Sequence, residues 1–103
     1  MMKTIGQIIR EKRDEKGLLL RHLAAQIDID QALLSKIERG ERKATKEQIL
    51  KFAQVLELNK DDLMLQYLSE NIAYEIIEEK NALDVLHVAE GKVVYLRKQN
   101  KHK

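Results

Sequence analysis

Apolar residues recur along this chain at helical spacing in short stretches, and most of those stretches open on a side chain able to cap a helix. A helix of two or three turns is marginal alone in water, so stripes of this length must fold by packing on one another. Thr4-Ile5-Gly6-Gln7 has the form of a capping box and leads into Ile8 and Ile9, which predicts a first helix over about 5–16, ended by Gly17. Leu19, Leu20, Leu23, Ala24 and Ile27 give a second, short helix over about 20–27, broken at Asp28-Ile29-Asp30. Asp30 is a good N-cap for a third helix over about 31–38, with Leu33, Leu34 and Ile37 inward and Gly40 as its stop. A second capping box, Thr45-Lys46-Glu47-Gln48, opens a fourth helix over about 46–56 that turns Ile49, Phe52, Ala53 and Leu56 inward. Asn59 caps a fifth helix from about 60, whose first turn holds Asp61 and Asp62 where the helix dipole favours them.

Past Leu68 the stripe Ile72, Ala73, Ile76 and Ile77 fits either a prolonged fifth helix or a separate one, with Ser69 as a candidate break. Asn81-Ala82-Leu83-Asp84 reads as a further helix start, and Leu83, Leu86, Ala89, Val93 and Leu96 keep helical spacing through Gly91. Val93-Val94-Tyr95-Leu96 alone would pass for a strand; the longer register favours helix. The expected organisation is an all-α protein: a five-helix domain over 1–65, a helical extension over 66–98 and a disordered basic tail over 99–103.

Composition narrows the function classes. The absence of cysteine removes disulfides, thiol catalysis and cysteine-held metal, and points to a reducing, cytoplasmic setting. No run approaches a membrane span, and the N-terminus lacks the apolar core of a signal peptide. His22, His87 and His102 are scattered without metal-ligand spacing. Ser35 has no neighbouring base, and Glu78 and Glu79 diverge on a helix by about 100°. Neither an enzyme, a metal site nor a cofactor is expected.

Charge is segregated along the chain. Between Ser35 and Lys51 six basic residues face three acidic ones, a candidate anion-facing patch, whereas from Gln66 to Glu90 six acidic residues face Lys80 alone. The second and third helices are joined by only a few residues, and each carries one apolar stripe, so they pack on one core at a steep angle as a helix-turn-helix. With Leu33, Leu34 and Ile37 inward, Gln31, Ala32, Ser35, Lys36 and Arg39 share the outward face. Gln and Lys read base edges, Ser adapts, and Ala admits a thymine methyl.

Leu23-Ala24 through Ile29, Leu34-Ser35-Lys36-Ile37-Glu38-Arg39-Gly40-Glu41-Arg42, and Leu50 through Leu56 with Asp61-Asp62-Leu63 resemble the lambda-repressor-like (XRE-type) helix-turn-helix family over about 5–65. The resemblance implies that the third helix enters the major groove of double-stranded DNA, with base readout by Gln31, Ala32 and Lys36 joined by Ser35. It places Arg39, Arg42 and Lys43 on phosphates and pairs Arg13 with Glu38 in a structural role. Leu19-Leu20 stands where the family commonly has Ser-Gln, losing a cap and a backbone contact, so affinity leans on Arg21 instead. Ala44 replaces a usual proline, and Thr45 supplies the cap.

One recognition helix reads few base pairs, and regulators of this type bind paired half-sites as dimers. The extension carries more apolar side chains than two helices need to lean on the first domain, among them Leu68, Ile72, Ile76, Leu83 and Leu86, and these are the expected dimer interface. The same helices alternatively enlarge the monomer core, or dock a toxin or other effector protein. The function expected is a homodimeric, sequence-specific transcriptional regulator, most simply a repressor, on an inverted-repeat operator. An antitoxin, a restriction-modification controller, and a protein-binding adapter without an operator are the alternatives.

Overall fold

The computed structural model describes residues 2–100. Six α-helices follow one another, and no strand occurs among the described residues: α1 (Ile5–Glu15), α2 (Leu20–Ile27), α3 (Gln31–Glu38), α4 (Lys46–Leu56), α5 (Lys60–Ile76) and α6 (Ala82–Asn100). The fold is all-α, with six helices where a five-helix domain and a helical extension were expected. The fifth helix is prolonged through Ser69, whose hydroxyl donates to the Gln66 carbonyl one turn back and leaves the helix unbroken. Val93–Leu96 lies within α6, so the helical register prevails over local strand propensity. The same helix includes Gln99 and Asn100 of the expected tail; 101–103 lie outside the described residues.

The chain divides into two compact units, one through Asn71 and one from Ile72 onward. In the first, Thr4 accepts from the Gln7 N–H at 3.1 Å while the Gln7 side chain accepts from the Thr4 N–H at 2.8 Å, and Thr45 and Gln48 do the same for α4 at 3.1 and 2.9 Å. Asn59 Oδ1 accepts from the Asp62 N–H at 2.9 Å at the head of α5. These bonds satisfy donors that helix starts otherwise leave unpaired.

Four helices stop in one way. Past α1 the Leu18 N–H returns to the Arg13 carbonyl and the Gly17 N–H to that of Asp14, and past α3 the Glu41 and Gly40 N–H groups return to Lys36 and Ile37. Asp28 and Glu57 close α2 and α4 with equivalent bonds, Ile29 to Ala24 and Leu58 to Ala53. This closure needs a left-handed residue, and Gly17 and Gly40 adopt it at φ 70° and 77°. Asp28 and Glu57 adopt it at φ 65° and 57° despite their Cβ atoms, so two of the four stops carry no glycine signal.

Ile9, Leu23, Ile27, Leu34, Ile37, Ile49, Phe52 and Leu56 are fully buried where α1 to α4 pack together, and Leu63 and Tyr67 of α5 complete the cluster. Each such large apolar side chain contributes about 1.5–3 kcal/mol over its exposed state. No residue of α6 is buried.

Candidate nucleic-acid interface

The α2–α3 pair is set by its turn. Asp28 reverses the chain in the left-handed conformation, and two residues later Asp30 Oδ1 accepts from the Leu33 N–H at 2.7 Å, fixing the first turn of α3. With Leu34 and Ile37 buried, Gln31, Ala32 and Lys36 are exposed on α3 and Ser35 is half-buried. At the head of α2 the missing hydroxyl cap is partly replaced: the Leu19 N–H donates to His22 Nδ1 at 3.3 Å. A histidine three residues into a helix start was the available signal, and as a scattered histidine it went unread.

The far end of α3 is held by charge. Arg13 of α1 donates from Nε and Nη2 to the two carboxylate oxygens of Glu38 at 2.7 and 3.0 Å, and from Nη1 to the Leu18 carbonyl at 2.8 Å. The two side chains are 10% and 5% exposed, and the hydrogen bond to Glu38 holds the Arg13 pKa above its ordinary value. The fork thereby ties α1, the α1–α2 turn and the last residue of α3 together. Beside it Gly6 lies so close to the backbone carbonyls of Ile37 and Glu38 that a Cβ would overlap them.

Beyond α3, Arg21, Arg42 and Lys43 are exposed and, like Lys36, make no ion pair among the described residues. Arg39 differs. Its guanidinium donates to both carboxylate oxygens of Glu41 and to Ser35 Oγ, and the contact holds the Arg39 pKa up and the Glu41 pKa down. Arg39 and Glu41 together add no net charge, so the cationic character of this face comes from Lys36, Arg42, Lys43 and Arg21. The loop carrying Arg42 and Lys43 is anchored by Tyr67, whose buried hydroxyl donates to the Ala44 carbonyl at 2.5 Å. Sequence reasoning missed Tyr67, because a helical aromatic reads as core and its loop partner is 23 residues away. It also counted Glu70 only among the acidic residues between Gln66 and Glu90, whereas Glu70 Oε1 accepts from the Ile5 N–H at 2.9 Å at the start of α1.

Among the expected interface residues Leu68, Ile72, Leu83 and Leu86 are 37%, 51%, 80% and 40% exposed, and Ile76 is half-buried. Among the described residues no helix is long and apolar enough to cross a membrane, and no group of acidic, histidine or cysteine side chains is placed to hold a metal ion.

A short helix, a tight turn and a second helix presenting polar residues beside a basic loop define a helix-turn-helix protein. A helix-turn-helix family model matches residues 9–63. The restriction-modification controller protein C.AhdI from Aeromonas hydrophila is similar in structure at 36% identity, over 57% of this chain and 89% of that one, with a TM-score of 0.54. SinR, a master regulator for biofilm formation solved in complex with DNA, is similar at 32% identity over 59% and 98% of the two chains, also with a TM-score of 0.54. A hypothetical protein from E. coli shares the fold over 90% of this chain and 99% of its own, at 19% identity and a TM-score of 0.65. No match was found among curated proteins. The chain belongs to the lambda-repressor-like (XRE-type) helix-turn-helix family of DNA-binding transcription regulators.

Proposed function

We propose that this protein is a homodimeric, sequence-specific transcriptional repressor that reads an inverted repeat. The observation carrying the reading is the α3 face itself: Gln31, Ala32 and Lys36 are exposed, as are Arg42 and Lys43, and none of the three cations is held in an ion pair among the described residues. Gln31, Ala32, Ser35 and Lys36 face base edges in the major groove, and Arg21, Arg42 and Lys43 meet phosphates. Arg39, turned back onto Glu41 and Ser35, reaches a phosphate only by exchanging that carboxylate for it. The exposed apolar side chains Leu68, Ile72, Leu83 and Leu86, with Ile76, supply the surface that holds two copies.

The test is selection of bound duplexes from a random DNA pool, with the stoichiometry of the enriched complex measured alongside. The expected result is an inverted repeat bound by two chains, with an affinity that falls steeply with salt. Absence of enrichment at low salt would favour an adapter that binds protein through its C-terminal helices. The likeness to C.AhdI favours a second reading, control of a neighbouring restriction-modification operon, for which the selected operator would recur upstream of this protein's own gene.

A further inference from the structure

One acidic residue, Glu41, interrupts the basic run Arg39, Arg42 and Lys43 that follows α3. Its backbone is fixed: Gly40 turns in the left-handed conformation at φ 77°, and the Glu41 N–H returns to the Lys36 carbonyl at 2.8 Å. From this position the side chain lies back on Arg39. Glu41 Oε2 accepts from Arg39 Nε at 2.5 Å and Oε1 from Nη2 at 3.4 Å, while Nη1 donates to Ser35 Oγ at 2.5 Å. All three guanidinium nitrogens are thereby engaged within the chain. The bond from Arg39 holds the Glu41 carboxyl below its ordinary value, and the charge of Lys36 acts on it in the same direction.

Stability does not account for this pair. Its side chains are 51% and 55% exposed, and an ion pair between groups so exposed adds little to folding. The end of α3 is already tied to α1 by the buried Arg13–Glu38 fork. A carboxylate held at both oxygens instead takes up the edge of the guanidinium that would otherwise grip two oxygens of a phosphate. The consequence for binding follows from charge. If Arg39 keeps Glu41 in the complex, it neutralises no phosphate. If it exchanges Glu41 for a phosphate, a bare carboxylate is left beside the DNA backbone and offsets the counterion released. Either way Arg39 adds less than Arg42 or Lys43, which make no ion pair among the described residues.

We propose that Glu41 is a built-in competitor of DNA phosphate, an anion that occupies Arg39 and thereby limits the sequence-independent part of binding. It is a positioning residue, acting through Arg39. The inference rests on the reading of this face as DNA-binding and adds to it the residue that restrains it.

The test is Glu41→Gln in the full-length chain, alone and combined with Arg39→Ala. Fluorescent duplexes of several unrelated sequences are titrated at a series of salt concentrations, and thermal melts are followed by circular dichroism. Removing the carboxylate frees Arg39 for one phosphate, so Glu41→Gln should tighten binding and steepen the dependence of log affinity on log salt by about 0.9 for each chain bound. A fourfold rise in salt then weakens the variant about 3.5-fold more than the parent per chain. Glu41→Ala should do the same, because the effect belongs to the charge, and adding Arg39→Ala to Glu41→Gln should erase it. A purely structural role would move the melting temperature and leave the slope alone. An unchanged slope in Glu41→Gln and Glu41→Ala would overturn the proposal, as would a steepening that survives Arg39→Ala. A gain confined to one duplex would overturn it too, by placing Glu41 at a base edge. If the parent chain binds none of the duplexes at low salt, the DNA-binding reading of this face fails and takes the proposal with it; parent binding that both Glu41 variants leave unaltered overturns the proposal alone.

Discussion

At the scale of single residues, the α3 face separates two kinds of contact. A side chain that reads a base edge matters only on the right sequence, whereas one that meets phosphate matters on every sequence. Lys36→Ala should cost about 1–3 kcal/mol on cognate DNA and relax preference at one or two positions. Arg42→Ala should weaken binding to all duplexes and reduce the salt slope; titrations of cognate and scrambled DNA at several salt concentrations distinguish the two. Gly6 acts on the same helix from behind. A methyl group there meets the Ile37 and Glu38 carbonyls, backbone that cannot swing aside, so Gly6→Ala should destabilise the fold by about 2 kcal/mol or more in urea unfolding. A wild-type midpoint for Gly6→Ala would mean that α1 does not approach α3 this closely.

At the scale of elements, the helix ends and the loop after α3 are held by side chains from distant parts of the chain. Tyr67→Phe removes the donor to the buried Ala44 carbonyl and should cost about 1–3 kcal/mol. Because Ala44 follows Arg42 and Lys43 directly, this change should also weaken binding to every sequence alike; an unaltered affinity would show that the loop keeps its place without the tether. Glu57, which ends α4, is hydrogen-bonded by Lys16, and this holds its carboxyl below the ordinary range. Its contribution to stability is therefore present above the ordinary carboxylate range and is lost as pH falls through the lowered value. Glu57→Gln should flatten the melting temperature against pH in that acidic window, a comparison made by thermal melts of the two chains.

At the scale of the whole molecule, the buried side chains all lie at or before Tyr67 among the described residues, while the second unit presents apolar residues to water. A chain ending at Asn71 should therefore keep a cooperative thermal transition, read by circular dichroism. The same truncation should abolish two-chain binding to an inverted repeat. If the shortened chain melted without cooperativity, the residues from Ile72 onward would be part of the core rather than of an assembly surface.

Much of this protein was legible in its sequence because the signals are local. Capping boxes at Thr4 and Thr45, caps at Asp30 and Asn59 and stops at Gly17 and Gly40 each act within a few residues, and the apolar stripes between them have the helical period. The outward face of α3 follows from the same period once Leu34 and Ile37 are buried. What the tertiary structure decided is whatever depends on residues far apart in the chain. The Tyr67 tether, the Glu70 cap on α1, the Lys16–Glu57 pair and the close approach at Gly6 have no local spacing to announce them. The cancellation of Arg39 by Glu41 spans only two residues, yet it depended on which way the chain turns after Gly40. Periodicity sets which side of a helix is apolar, but only the packed chain determines which of those sides meet one another and which stay exposed.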